Sequence, residues 1–432
     1  GMKQRLCVAE VLVKDPEFLF LDEPTLGLDP EGAIQLIDLI QSLNQNRGMT
    51  VLLSSHNLYQ VQRISNRVGI MIDTFNDQRS AFVFQVNPLG VQGDGRWLEG
   101  SGGWGDPIDW SPEFLWESSG RVTPEGYTVE LRIPLKSLRF PEASVQEWGL
   151  QVTRRIQRNG FNQSWAPISG EIANRLAQAG TLGGLTGLES GRMLDLNPVV
   201  TASSQGRWDQ DTEEFNRLSP TGDFGFNASY GITSNLTLDA TYNPDFSQVE
   251  ADAGQIAVNE RFALYFPEKR PFFLEGTDVF SMRRSIVYTR SIANPVGAAK
   301  LSGKVGRFTM AYIGAVDDVG GPEGSNPVVN LLRIKGDVGE SSSLGLAYTD
   351  RSGFGSRFNR VLGADARLVL ARRYTLEVMA SGSADGGSGL ETDWGSLVSV
   401  GFSRSSRAFP FGASFEDISE SFRARSGFIP RV

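Results

Sequence analysis

The sequence predicts a multidomain, mainly β protein. A partial α/β half-domain is followed by a β-sandwich and then by an antiparallel β-barrel that stops early. Beyond about residue 73, apolar and polar residues alternate in many short runs, and glycine accounts for 49 of 432 residues. Earlier in the chain, two short and fully apolar runs have the pattern of buried parallel strands. The length allows two or three domains of roughly 150 residues each.

Composition excludes several classes of protein. The net charge is −9, from 41 basic and 50 acidic side chains, and without a basic block we expect no nucleic-acid partner. The single cysteine, Cys7, excludes an internal disulfide framework, and the single histidine, His56, excludes a multi-histidine metal site. We find neither a signal peptide nor a run of ~18 apolar residues that could form a transmembrane helix, so a membrane role would belong to a β-barrel.

The first α/β element is a short apolar strand followed by two carboxylates. FLFL ends at Leu21, and Asp22 and Glu23 follow it directly. A second apolar strand, VLLSSHN, carries His56 at its end, and an amphipathic helix separates the two strands. Carboxylates at a strand end suit Mg²⁺ binding and the polarisation of an attacking water. The structural alternative is an acidic turn that caps the next helix.

These residues resemble a known family. Residues 1–71 resemble the C-terminal half of an ATP-binding-cassette ATPase, with GMKQRL as the end of its signature motif, FLFLDEP as its Walker B strand, LGLDP as its D-loop and SSHN as its switch region. The resemblance implies ATP and Mg²⁺ as cofactors, a second ATPase domain and a transporter membrane subunit as partners, and the cytoplasmic side of the inner membrane. It implies Mg²⁺ binding for Asp22, general-base catalysis for Glu23, dimer contact for Asp29, γ-phosphate sensing for His56, and contact with nucleotide bound by a partner domain for Gly1 and Met2.

One departure from that family limits the activity. No GxxxxGK[ST] phosphate-binding motif occurs in the sequence. Without the backbone cradle, the lysine and the Mg²⁺-binding hydroxyl of that motif, we expect neither binding nor hydrolysis of ATP.

The sequence pattern of residues 73–190 predicts a β-sandwich. Phe82, Phe84 and Val86 would share one face of a strand, and Tyr127, Val129, Leu131 and Ile133 would share a face of another. Six of the eight tryptophans fall here: Trp97, Trp104, Trp110, Trp116, Trp148 and Trp165. Such rings either fill the core or stack on sugars. Trp97, Trp104 and Trp110 lie among Gly, Asp and Pro, so we expect them in loops and take them as candidate carbohydrate-binding residues.

The phrases DTFNDQRSAFVFQVNPLG and GYTVELRIPLKSLRF carry a second resemblance. They are similar to the family 9 carbohydrate-binding-module-like domain at the front of a family of outer-membrane proteins of uncharacterised function. A glycan partner is what this label implies.

Residues 191–432 predict an outer-membrane-type barrel. In LTLDATY, Leu236, Leu238, Ala240 and Tyr242 alternate with Thr237, Asp239 and Thr241, as lipid and lumen faces require. The alternatives are a large soluble sandwich or a propeller array. The run 248–280, with its phenylalanines, resembles the same outer-membrane family and is predicted to fold back into the barrel, the alternative being a ligand gate. We expect outer-membrane lipid as partner, a barrel truncated at residue 432, an outer-membrane or periplasmic location for 73–432, and no cofactor or catalytic centre in that part.

The two resemblances require different compartments. We therefore expect an artificial junction of two gene fragments between about Gly69 and Thr74, with neither function operating as encoded. One alternative is a genuine glycan-associated outer-membrane protein with a misleading leader. The other is a genuine ATP-binding protein of an ABC transporter with an unusual C-terminal β extension.

Overall fold

The computed structural model describes most of the chain beyond residue 66 and parts of the segment before it. The described residues are 18–22, 32, 35–36, 38–40, 42–43, 50–54, 66–99, 107–110, 112–156, 160–188, 194–204, 206–209, 214–217, 221–244, 265–266, 268–274, 276–320, 326–353 and 357–429. They form a mainly β protein with several sheets, and this confirms the predicted fold class.

The N-terminal part contains a small parallel sheet. Strand β1 (Phe18–Asp22) pairs in parallel with β2 (Thr50–Ser54), and helical backbone lies between them at 32, 35–36, 38–40 and 42–43. Leu36, Ile40 and Leu43 are buried at helical spacing. Among the described strands, β1 and β2 pair only with each other.

The sandwich has two layers. Its seven-stranded sheet runs in the order β10-β9-β3-β4-β5-β6, with β11 also pairing with β9, and a β7–β8 hairpin forms the second layer. The strands are β3 (Arg67–Asp73), β4 (Ser80–Val86), β5 (Gln92–Leu98), β6 (Ile108–Asp109), β7 (Glu117–Thr123), β8 (Gly126–Arg132), β9 (Val145–Ile156), β10 (Phe161–Ser164) and β11 (Gly180–Thr186). Single 3₁₀ turns lie at Leu135–Ser137 and Leu176–Gln178.

The core between these layers follows the predicted faces. Phe82, Phe84 and Val86 of β4 are buried, and Val129 and Leu131 of β8 pack against their cluster. Edge-to-face contacts join the Phe84 ring to Trp116. Strand β8 alternates in exposure because only one of its faces packs on this core, whereas β4 is buried on both faces, with Ala81 and Val83 in a second cluster.

Strand β3 lies inside the sandwich sheet rather than at the end of the nucleotide-binding segment. It pairs with β9 from Arg67 to Asp73 and with β4 from Val68 to Ile72. The structure therefore moves the start of the sandwich from Asp73 to Arg67. Ile70, Met71 and Ile72 suit this sheet because Ile72 is buried against its core.

The C-terminal part is a large antiparallel sheet. Within the described residues, eleven strands follow the order β12-β15-β16-β17-β18-β19-β20-β21-β22-β23-β24, and a separate hairpin joins β13 and β14. The strands are β12 (Leu194–Ser203), β13 (Gly206–Asp209), β14 (Glu214–Arg217), β15 (Thr221–Thr233), β16 (Leu236–Tyr242), β17 (Pro295–Val305), β18 (Phe308–Asp317), β19 (Val328–Val338), β20 (Ser342–Ser352), β21 (Arg357–Leu370), β22 (Tyr374–Gly387), β23 (Leu390–Arg404) and β24 (Phe411–Ile418).

The outward face of this sheet is more apolar than the exposed face of a soluble sheet. In β16, Asp239 and Thr241 are buried, whereas Leu238 and Tyr242 are exposed. The outward face continues this pattern with exposed apolar side chains on further strands, among them Tyr230, Phe308, Tyr312, Val316, Val328, Ile334, Leu344, Leu346, Leu362, Leu370, Trp394, Val398, Phe411 and Phe415. The alternation predicted from the sequence is confirmed.

The inward face packs on a folded-back segment. A helical turn at Pro271–Leu274 and 3₁₀ turns at Thr277–Phe280 and Thr289–Ser291 lie in this segment. Its buried Phe273 and Phe280 share one apolar cluster with inward residues of the sheet, including Ile313 and Leu331. The predicted loop that fills the inside of the sheet is thus observed for its described residues. No helix in the described part of the chain is long and apolar enough to cross a membrane.

Candidate functional site

The predicted nucleotide site is described only at its strand ends. Asp22 ends β1 directly opposite Ser54, the last residue of β2, so the parallel pairing brings both predicted motifs to one edge of the sheet. Glu23, Asp29, His56, Gly1 and Met2 lie outside the described residues. Their catalytic and nucleotide-contacting roles stay predictions.

The predicted carbohydrate residues do not form an exposed aromatic site. Trp97 lies within strand β5, not in a loop, and it is only 6% exposed because it packs with Ala81, Val83 and Leu176. Its indole Nε1 donates a hydrogen bond to Glu99 at 3.2 Å. Trp110 packs against the same cluster and is half-buried, and Trp104 lies outside the described residues. A buried ring offers no face to a sugar, so Trp97 is a core residue.

The sequence analysis did not select the exposed tryptophan of the sandwich as a candidate. Trp165 follows the edge strand β10 and is 60% exposed. Its ring lies against β11 at Gly180, where a Cβ would overlap the ring. The amide of Gln151 holds the next residue, Ala166, through two hydrogen bonds of 3.0 Å. The polar edge strand FNQSW was the only sequence signal for this position.

A cluster of charges joins the sandwich to the large sheet. The loop from Asp73 to Arg79, here called the latch loop, connects β3 to β4. Asp77 pairs with the Lys304 ammonium, which also lies 2.8 Å from Asp337. The Nε of Arg79 lies 2.9 Å from Asp337. All four side chains are between 12% and 20% exposed, so water screens these pairs less than it screens surface pairs.

Further polar contacts extend this junction. The Arg367 guanidinium lies 3.5 Å from Glu99. Asn174 donates to the hydroxyl of Ser341 at 3.0 Å and to the carbonyl of Gln78 in the latch loop at 3.0 Å. The partners in the sheet lie in or beside its tight turns, at 339–341 and 371–373, so the sandwich contacts the short-turn end of the sheet.

The latch loop begins at a buried carboxyl group. Asp73 is 3% exposed, and burial raises its pKa to about 6, with a smaller contribution from the Asp77 carboxylate. Hydrogen bonds from backbone N–H groups, including that of Gln78 at 2.7 Å, oppose this rise. Burial likewise raises the pKa of Glu99, against the effect of Arg367.

The inside of the large sheet holds paired charges. The Lys300 ammonium is buried 3.2 Å from Asp239. Arg270 forms two hydrogen bonds of 2.8 Å to Glu268, and it donates to the carbonyl of Ile292 at 2.6 Å. These hydrogen bonds join two parts of the folded-back segment to each other. Among the described residues, no group of three or more His, Cys, Asp or Glu side chains could hold a metal ion.

Two parts of the chain are similar to known proteins. Residues 193–305, from the start of the large sheet to the end of β17, match the family "Domain of unknown function (DUF5916)". The methionine import ATP-binding protein MetN of Lacticaseibacillus paracasei is 45% identical over 73 residues, which are 17% of this chain and 21% of that protein. The bacitracin transport ATP-binding protein BcrA of Bacillus licheniformis is 48% identical over 71 residues, 16% of this chain and 23% of that protein.

A third relative is the uncharacterized ABC transporter ATP-binding protein YhcH of Bacillus subtilis, 40% identical over 97 residues, or 20% of this chain and 32% of that protein. The chain thus spans about a fifth to a third of the length of these relatives. The predicted similarity to ATP-binding proteins of ABC transporters is confirmed over this short stretch.

Two solved outer-membrane proteins are similar at low scores. Salmonella typhi OmpF in complex with daunomycin has a TM-score of 0.29 at 8% identity, covering 82% of this chain and 89% of that chain. The loop L8 deletion mutant of OmpT from Vibrio cholerae has a TM-score of 0.25 at 8% identity, covering 82% and 93%. These TM-scores are too low to support an argument from either structure.

Proposed function

We propose that residues 194–429 form the lipid-embedded part of an outer-membrane protein. The observation that carries this proposal is the outward face of the large sheet, which is apolar and exposed, while the inward face packs on the folded-back segment through an apolar cluster and paired charges. A soluble sheet with one face already buried would expose a polar face instead. Eleven antiparallel strands, most of them ten or more residues long, are of a length that crosses a bilayer at a tilt.

Aromatic side chains support this orientation. The rings of Tyr374 and Phe402 stack 5.9 Å apart, and Phe411 contacts Phe402 at 5.8 Å, close to the short-turn end of the outward face. Aromatic girdles of this kind lie where acyl chains meet headgroups. The sandwich, docked at the short-turn end, would then lie in the periplasm.

Quenching by brominated lipids tests the proposal. Trp394 on the outward face is 74% exposed, and Trp165 on the sandwich is 60% exposed. In bilayers of bromine-labelled lipid, the fraction of tryptophan fluorescence that is quenched should fall strongly in Trp394→Phe. It should change little in the matched variant Trp165→Phe. Equal effects of the two variants, or a chain that stays monodisperse in water without detergent, would contradict the proposal.

Glycan binding by the sandwich is a second candidate function, favoured by the geometry at Trp165 and not at Trp97. The Trp165 ring is 60% exposed and lies against Gly180 of β11, and Asn162 and Gln163 on the adjacent edge strand are exposed. A fixed aromatic face beside amide groups suits a pyranose ring. Affinity electrophoresis on a panel of polysaccharides should show retardation that Trp165→Ala abolishes and Leu89→Ala preserves. Equal mobility of wild type and Trp165→Ala on every glycan would exclude this site.

For the N-terminal segment we propose a remnant of an ABC transporter ATP-binding subunit, joined to the rest by an artificial junction. The separate pairing of β1 and β2 supports this, whereas the placement of β3 puts such a junction before Arg67. Amplification of source DNA across codons 60–85 tests it. A continuous amplified product would rule out an artificial junction and show that the two parts are a natural fusion.

A further inference from the structure

The sandwich and the large sheet each have an apolar core of their own. The clusters around Phe84 and around Trp97 contain only residues of the sandwich, and the cluster around Phe273 contains only residues from 272 onward. In these clusters no apolar side chain of one domain packs into the core of the other. Domains that share no hydrophobic interface are expected to move relative to each other.

The observed contacts between the two domains are polar and mostly ionic. Besides the latch loop and the contacts of Glu99 and Asn174, they include the pair of Glu171 with Arg373 at 2.8 Å and the hydrogen bond from the Ala173 N–H to the Arg372 carbonyl at 2.8 Å. Charged pairs of this kind weaken as salt rises, because the screening length shortens to about 3 Å at 1 M.

The charges of the latch are divided between the domains in a complementary way. The sandwich contributes one carboxylate, Asp77, and one guanidinium, Arg79. The sheet contributes one ammonium, Lys304, and one carboxylate, Asp337. Each charge faces its opposite across the interface, and the four together are neutral. The Lys304 ammonium also lies 5.6 Å from the centroid of the Phe75 ring, which adds a cation–π contact from the same loop.

We propose that the sandwich is a releasable cap on the short-turn end of the large sheet, held there by the latch loop through the pairs Asp77–Lys304 and Arg79–Asp337. The cap covers the turns of the sheet when the pairs are intact. It swings away as a folded unit when they are screened or broken, since its own core does not depend on the sheet. This proposal holds whether lipid or water covers the outward face of the sheet.

Distance measurements on the full chain test the cap. Spin labels go on Glu125→Cys in the β7–β8 turn and on Glu391→Cys in the sheet, both exposed, in a Cys7→Ser background. At low salt, pulsed electron resonance should give one narrow distance distribution, and about 1 M salt should broaden it. Arg79→Asp should broaden it at low salt, because the Asp337 carboxylate then faces a carboxylate of the sandwich instead of a guanidinium.

Charge exchange makes the test decisive. In Arg79→Asp combined with Asp337→Arg, the sandwich presents two carboxylates to two cations of the sheet, so the narrow distribution should return at low salt. Arg132→Asp is the matched control, because Arg132 and its partner Glu117 are 80% and 73% exposed within the sandwich. The proposal is overturned if neither salt nor Arg79→Asp changes the distribution, or if the double variant stays as broad as the single one. Should Arg79→Asp fail to fold, the salt series on the otherwise unchanged chain gives the same decision.

Discussion

The guanidinium of Arg79 lies 2.9 Å from the carboxylate of Asp337 and joins a loop of the sandwich to a strand end of the large sheet. The predicted junction between Gly69 and Thr74 lies directly before this loop and, in the structure, within a strand of the sandwich. From Arg67 onward the chain belongs to the sandwich by its backbone pairing, and from Asp77 to Arg79 it contacts the sheet.

A charge placed on the outward face distinguishes whether lipid or water covers it. Leu362 is 61% exposed on β21, and Leu89 is 78% exposed on the sandwich. In a bilayer, Leu362→Arg should lower the free energy of unfolding by about 2–4 kcal/mol if the residue lies near the midplane, because the charge must enter the acyl chains. Leu89→Arg should change it by less than about 0.5 kcal/mol. Denaturant titration in lipid vesicles measures both, and equal small effects would show that water covers the sheet.

Asp73 gives a prediction about pH. Its pKa in the folded protein, about 6, lies above its ordinary value of 3.8, so the folded state keeps the proton longer than the unfolded chain. Its contribution to stability is therefore full below about pH 4 and is lost as pH rises to about 6 and beyond, by roughly 3 kcal/mol. Asp73→Asn should remove this slope and be the more stable form at pH 7. Thermal unfolding of both proteins from pH 4 to 8 measures it, and parallel curves would contradict the assignment.

The folded-back segment depends on Arg270. Arg270→Met should lower the free energy of unfolding by about 3–5 kcal/mol, because Glu268 would keep a buried charge without its partner. Arg132→Met, at a pair that is mostly exposed, should cost less than about 1 kcal/mol. Chemical denaturation gives both values. A loss as small as that of the control would mean that Glu268 finds another partner or becomes protonated.

Close backbone approach at Gly395 predicts a steric effect. A Cβ there would overlap backbone atoms of Phe422, whereas the nearest atom to a Cβ on Gly382, in the neighbouring strand, is 3.9 Å away. Gly395→Ala should cost about 1–3 kcal/mol, since the C-terminal segment must shift, and Gly382→Ala should be nearly neutral. Unfolding curves give the free energy of unfolding of both variants. Similar values would contradict the close approach of Phe422 to Gly395.

The N-terminal segment is predicted not to turn over ATP. The sequence has no phosphate-binding GxxxxGK[ST], so a melting shift with Mg²⁺ and ATP should be absent, and phosphate release should equal that of Glu23→Gln. Release above that variant would show that the segment recruits a phosphate site from elsewhere.

Much of the fold could be predicted from the sequence, since strand faces depend on local alternation. Phe82, Phe84 and Val86 were placed on one buried face, and Asp239 and Thr241 on the inward face of β16, because side chains alternate along a strand. The exposure of individual tryptophans could not be predicted, because it depends on what lies opposite each ring. Trp97 is covered by Leu176, and Trp165 rests on a glycine, although both are flanked by polar sequence.

The sequence by itself determined that the chain is mainly β, that the side chains of its C-terminal strands alternate between two different faces, and that its first part is similar to an ATP-binding protein. Only the tertiary structure decided where β3 pairs, which tryptophan of the sandwich is exposed, and which charges meet across the domains. Asp77 and Lys304 are brought together by the docking of two separately packed domains. Such a contact leaves no local period in the sequence, since it depends on the relative placement of surfaces that form only after each domain has folded.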